Sequence, residues 1–139
     1  MIQKDFVLRQ IQQLVQVMAR VLQLKTEGFF EEAADELDIA LNETLDTSVK
    51  ELLTMTEEEI LLLCTRDGQL NADIALVLAE LLEETDELAV DHALSFENEQ
   101  HNQEKGARGA LFLYKALVSS GKAVPFDIYD RISRLEANA

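Results

Sequence analysis

The stretch Gly28-Phe-Phe-Glu-Glu-Ala33-Ala34-Asp-Glu-Leu37-Asp-Ile-Ala40-Leu41 constrains the fold most. Upstream, Val7, Ile11, Leu14, Met18 and Val21 recur at helical spacing, flanked by Leu8, Val15 and Leu22, which predicts a helix from about Ile2 to Glu27. So wide an apolar stripe implies packing against more than one neighbour. Gly28 then suits the left-handed position that stops a helix. After it, Phe30, Ala33, Ala34, Leu37, Ala40, Leu41 and Thr44/Leu45 share one side of a second helix, and Glu31, Glu32, Asp35, Glu36, Asp38 and Glu43 take the other. Alanines on the packing side let two antiparallel helices approach closely. A helical hairpin is the expectation.

Beyond Leu45 the local signals continue. Asp46-Thr-Ser48 breaks the pattern, and Val49 to Met55 suits a short helical turn. Thr56-Glu-Glu-Glu59 reads as a capping box opening a helix through Ile60 and Cys64 that ends near Arg66, with Asp67-Gly68 as the turn. Asn71 is placed to cap a helix carrying Ile74, Leu78, Leu81 and Leu82, which the pattern allows to continue, bent or broken once, towards Glu104. A further helix is expected from Ala107 to Ser120, after Gly106 and before Gly121. Pro125 suits the start of a last one, with Ile128, Tyr129, Ile132 and Leu135 on its buried face.

Five glycines and one proline in 139 residues, with 47% hydrophobic side chains, fit long helices, short connections and one compact domain. The expected class is all-α: antiparallel helical hairpins around an irregular helical middle, six to seven helices in all. One cysteine forms no internal disulfide, and neither a secretory leader nor an apolar run of about 20 residues is visible. A cytoplasmic protein is expected.

Charge is segregated along the chain. Residues 1–25 carry a net +3 and residues 105–139 a net +3, whereas residues 26–104 carry −21, giving −15 overall. A field of that sign disfavours nucleic acid and anionic membranes and permits a basic protein partner. The carboxylates Glu80, Glu83, Glu84, Glu87 and Asp91 line one helical stripe, which needs water, cations or nearby basic side chains. A solvated face is the ordinary reading. Pairing with a basic partner or with the chain's own basic end helices is the alternative.

Residues 17–41 resemble a tetratricopeptide repeat, whose glycine, aromatic, alanine, large apolar and alanine places fall on Gly28, Phe30, Ala33, Leu37 and Ala40. A weaker echo covers Gly106, Gly109, Leu113, Ala116 and Leu117. Val21 stands where that family prefers a small residue, and Leu45 where a proline closes the repeat. The run from Ile2 to Gly28, and loosely the chain to Ile132, is also similar to an uncharacterised family of short bacterial proteins with a tetratricopeptide-like fold. The resemblance implies a fold that builds binding surfaces. It implies no reaction and no cofactor. The repeat family's carboxylate clamp uses Lys and Asn where this chain has Met18 and Leu22, so a clamp is not expected.

No nucleophile triad or phosphate loop is present. Cys64 sits in an apolar helix without a basic cluster and reads as core. His92 and His101 are about 13 Å apart along one helix, too far to share an ion, though Glu97, His101 and Glu104 could meet on one face. The leading expectation is a non-catalytic protein–protein interaction module, as an adaptor or a homodimer. If the inner apolar face is open, Met18, Val21, Leu22 and Leu37 anchor a protein or peptide partner there, although core packing is the commoner fate of such a stripe. The alternatives are an acidic regulator masking a basic surface, and a metal-binding protein or enzyme using the Glu97/His101 region.

Overall fold

The computed structural model describes residues 2–91, 105–121 and 124–137. They form seven helices and one small ladder: α1 (Ile2–Thr26), α2 (Phe30–Leu45), α3 (Val49–Thr54), α4 (Glu57–Leu63), β1 (Thr65–Arg66), β2 (Gln69–Leu70), α5 (Ala72–Asp91), α6 (Lys105–Ser119) and α7 (Ile128–Ala137). The class is all-α, as the periodicity requires.

Local chemistry sets most boundaries. Gly28 has φ +85° and closes α1 in a Schellman motif, with Phe29 N–H donating to the Leu24 carbonyl at 2.8 Å and Gly28 N–H to that of Lys25 at 3.1 Å. The chain then turns directly into α2, which packs along α1. Gln10 on α1 donates to the Thr44 carbonyl near the far end of α2, so the two helices run antiparallel.

Asp46, with φ 54°, ends α2. The Ser48 hydroxyl then accepts from Glu51 N–H at 3.1 Å, and Asp38 on α2 accepts from Val49 N–H at 2.8 Å, so α3 is capped from two sides. The Thr56/Glu59 capping box forms at both contacts, 3.2 Å and 3.0 Å. Asn71 caps α5 through Ile74 N–H at 3.0 Å.

Three boundaries differ from the sequence expectation. Helix α4 stops at Leu63 rather than near Arg66, because Asp67 (φ 55°) and Gly68 (φ 75°) make a two-residue hairpin turn that pairs Thr65 with Leu70. Gly106 lies inside α6 instead of before it, pressed against the Leu82 carbonyl and Asp86. Helix α7 begins at Ile128, after Pro125 and Asp127, and leaves Tyr129 exposed rather than buried.

Helix α5 lies at the centre. Ile74, Ala75, Val77, Leu78, Ala79, Leu81, Leu82 and Thr85 are all buried, so its apolar surface runs nearly all the way round. Helices α6, α1 and α2 pack on it. Buried side chains from all seven helices join one cluster with it.

Candidate interaction surface

The four residues expected to meet a partner separate into two groups. Val21 and Leu37 are fully buried, and Met18 is 8% exposed, all within the central cluster. The inner face of the α1–α2 hairpin is filled by the chain's own helices. Among the described residues no open groove is seen there, so Met18, Val21 and Leu37 are core side chains rather than exposed anchors. Leu22 alone is open, at 45% exposure.

Leu22 belongs to a different row. Leu8 is 53% exposed and Val15 51%, and with Leu22 they recur every seven residues on α1. Seven residues rotate a helix through nearly two full turns, so the three side chains share one line about 21 Å long. Exposed Ala19 lies beside this line between Val15 and Leu22, and half-buried Ile11 borders it. The exposed Ile39, Leu62 and Tyr129 lie on other helices, and Phe29 and Phe126 in connections, without such spacing. The row was legible in the sequence as the flank of α1's wide stripe, but the stripe alone does not tell which of its two edges the fold covers.

The rest of the exposed surface of α1 is amide-rich and carries two arginines, each about 100° or more around the helix from the row. From Phe6 to Thr26 the chain carries no carboxylate. Arg9 and Arg20 are exposed, as are Gln12, Gln13, Gln16 and Gln23. Lys25 instead turns inward and pairs with Glu84 of α5.

The acidic stripe of α5 is neutralised within the chain rather than by water alone. Arg131 of α7 reaches Glu80 at 3.3 Å and Asp127 at 3.0 Å, and Arg134 reaches Glu83 at 2.8 Å. The Tyr114 hydroxyl of α6 donates to Glu83 and accepts from Arg131 Nη1 at 3.0 Å, while the guanidinium lies 5.9 Å from the Tyr114 ring centre. The alternative reading of the stripe therefore holds for Glu80, Glu83 and Glu84: basic end helices pair with the acidic centre. The side chains of Glu87 and Asp91 lie outside those described.

Titration follows this geometry. Burial raises the Glu80 pKa, and the Arg131 charge offsets part of that rise. Burial, reinforced by the bond to Glu83, raises that of Tyr114. Burial also works against the charge of Arg131, but its bonds to Tyr114 and Asp127 outweigh that and hold it charged. This cluster is a polar clamp fastening α7 to α5 and α6.

Cys64 is fully buried, and desolvation, slightly offset by Arg66, pushes its thiol up to about 12. That environment suits a core thiol rather than a nucleophile. His92, Glu97, His101 and Glu104 lie outside the described residues. Among the described residues no group of three or more His, Cys, Asp or Glu side chains is placed to hold a metal ion, and no helix is long and apolar enough to cross a membrane. Comparison with known proteins gives no match to a family model, a curated protein or a solved structure.

Proposed function

We propose that this chain is a non-catalytic protein–protein interaction module that meets its partner on the outer face of α1. The observation that carries this reading is the repeat-spaced row Leu8, Val15 and Leu22, left about half exposed beside a closed core. A continuous apolar line costs free energy in water, and a partner that covers it recovers about 25 cal/mol for each Å² removed from solvent. The tetratricopeptide-like pattern of residues 17–41 supports the same class of role, as does the absence of a recognisable catalytic motif in the sequence. A cytoplasmic setting is part of the proposal, supported by the single buried cysteine.

The test is affinity capture from a native lysate with three variants shown by circular dichroism to stay folded. Val15→Glu and Leu22→Glu should both lose a partner that Ile39→Glu, on the exposed side of α2, retains. Retention by all three variants would remove α1 from the interface.

A second reading rests on a separate observation. Glu31, Glu32, Asp35 and Glu43 project from α2 and are exposed, which suits masking of a basic surface. In that case changing these four carboxylates to amides, and not Val15→Glu, should abolish capture.

A further inference from the structure

Helix α7 gives little apolar surface to the core. Of its ten residues, Ile128 and Leu135 are buried, Arg131 and Ile132 are half-buried, and the others are exposed. It packs on α6 and reaches α5 through ion pairs, Arg131 to Glu80 at 3.3 Å and Glu83 at 3.6 Å, and Arg134 to Glu83 at 2.8 Å. A helix this short does not persist alone in water, so α7 is ordered by its docking.

The rest of the fold holds together without it. Helices α5 and α6 pack on each other, α1 and α2 pack on α5, and α3 and α4 pack on α6. Taking α7 away leaves those six interlocked. A segment with few buried apolar contacts beside a well-packed core is the kind that opens ahead of global unfolding.

What α7 covers is polar at its centre. The fully buried Tyr114 donates its hydroxyl proton to Glu83 of α5 and accepts from Arg131, whose guanidinium lies 5.9 Å from the ring centre. Arg131 therefore ties α7 to α5 and α6 at one point. Its planar fork serves Glu80, Asp127 and Tyr114 together, a geometry that a lysine ammonium does not reproduce.

We infer that α7 is a latch: it opens from α5 and α6 as one unit while the other helices stay folded, and Arg131 sets how often it opens. Each opening presents the Tyr114 ring, Glu80 and Glu83 to solvent. In the closed state the chain's own arginine covers that face. The device lies apart from the α1 surface and does not rest on it.

Two other behaviours compete with a latch. A terminal helix can fray residue by residue, or it can leave only when the whole chain unfolds. Amide hydrogen exchange of the full isotope-labelled chain, followed by NMR at neutral pH, separates the three. The amides of Arg131 to Leu135 should share one protection factor, at least about tenfold below that of the α5 core from Leu78 to Leu82. Arg131→Met keeps most of the side-chain bulk and removes the fork, and should lower α7 protection about tenfold, with Arg131→Lys falling less and Lys115→Met changing it about twofold or less. The docked state is the starting point for both openings, so α5 protection should fall by the same factor and the gap between α7 and α5 should remain. Equal protection of α7 and α5 in the parent chain overturns the latch, as does protection that declines steadily towards residue 137. Loss of the whole fold in Arg131→Met also overturns it, because the other six helices should stand without α7. An exchange profile unmoved by Arg131→Met removes Arg131 from its control.

Discussion

Helices α5 and α6 share the most extensive contact among the described elements, and two glycines on α6 allow its closeness to be tested by one added methyl at a time. At Gly106 a Cβ would stand 2.6 Å from the Leu82 carbonyl oxygen, 3.0 Å from Asp86 Cβ and 3.2 Å from Asp86 N. The closest atom is backbone and cannot rotate away, so Gly106→Ala must push α6 off α5. Overpacking of that kind costs about 1–3 kcal/mol, while the gain in helix propensity is below about 1 kcal/mol and smaller still at the second residue of a helix. At Gly109 the neighbours are Leu82 Cδ1 at 3.0 Å and Ile60 Cδ1 at 3.6 Å, both at the ends of rotatable side chains. There the propensity gain offsets a small repacking cost. Gly106→Ala is therefore expected to lose about 1–2 kcal/mol, or roughly 3–6 °C in a chain of this size, and Gly109→Ala to stay within about 1 kcal/mol of the parent. Thermal and urea unfolding followed by circular dichroism measure both. If Gly106→Ala proves as stable as Gly109→Ala, the close approach of α6 to the Leu82 carbonyl is not a property of the folded chain.

Four further outcomes follow from burial and titration. Val15→Glu should leave stability within about 0.5 kcal/mol of the parent, whereas Val21→Glu, six residues along the same helix but fully buried, should lose several kcal/mol in urea unfolding. Cys64 should resist a thiol reagent at pH 8 in the folded chain and react freely in denaturant, because a rise from 9.0 to about 12 leaves roughly a thousandfold less thiolate. Glu80 has a folded pKa above its unfolded value, so its proton is bound more tightly in the native state; that contribution is complete below the unfolded pKa and is lost as pH rises through the folded one. Glu80→Gln should accordingly remove a stabilising trend seen as pH falls into the carboxylate range, read from unfolding midpoints between about pH 3 and 7. Arg131→Ala should destabilise the chain more than Lys115→Ala, since Arg131 binds Glu80, Asp127 and Tyr114 together, whereas the Lys115–Glu136 pair is exposed.

Legibility from the sequence divides along the distance over which each interaction acts. The Schellman turn at Gly28, the Thr56/Glu59 box and the Asn71 cap are readable because donor and acceptor lie within five residues of each other. The Thr65–Leu70 hairpin was missed because two-residue strands carry no periodic signal, although Asp67-Gly68 marked the turn itself. Gly106 looked like a boundary because a glycine that admits a neighbouring helix has the same local signature as one that ends a helix. The clamp was invisible in its particulars, since Arg131 and Arg134 find partners 51 residues away and Lys25 finds one 59 away. Only the opposed signs of the end and middle segments hinted at it. The exposed apolar row on α1 shows the same limit. Met18 and Val21 within the apolar stripe of α1, and Leu8, Val15 and Leu22 along its edge, are equally apolar, and only the packed helices decide which set remains open.

That division also changes what the net charge means. A total of −15 points to a basic partner only if the charge and the exposed apolar surface coincide, and here they do not. The exposed carboxylates Glu31, Glu32, Asp35 and Glu43 belong to α2, and part of the α5 stripe is consumed by the clamp, while the apolar row lies on a helix whose exposed charges are Arg9 and Arg20. At physiological ionic strength interactions between exposed charges fade beyond about 8 Å, so any partner on α1 would sense the charges within that reach more strongly than the sum over the molecule. The whole-chain field acts earlier, on approach, and slows an acidic partner instead of excluding it.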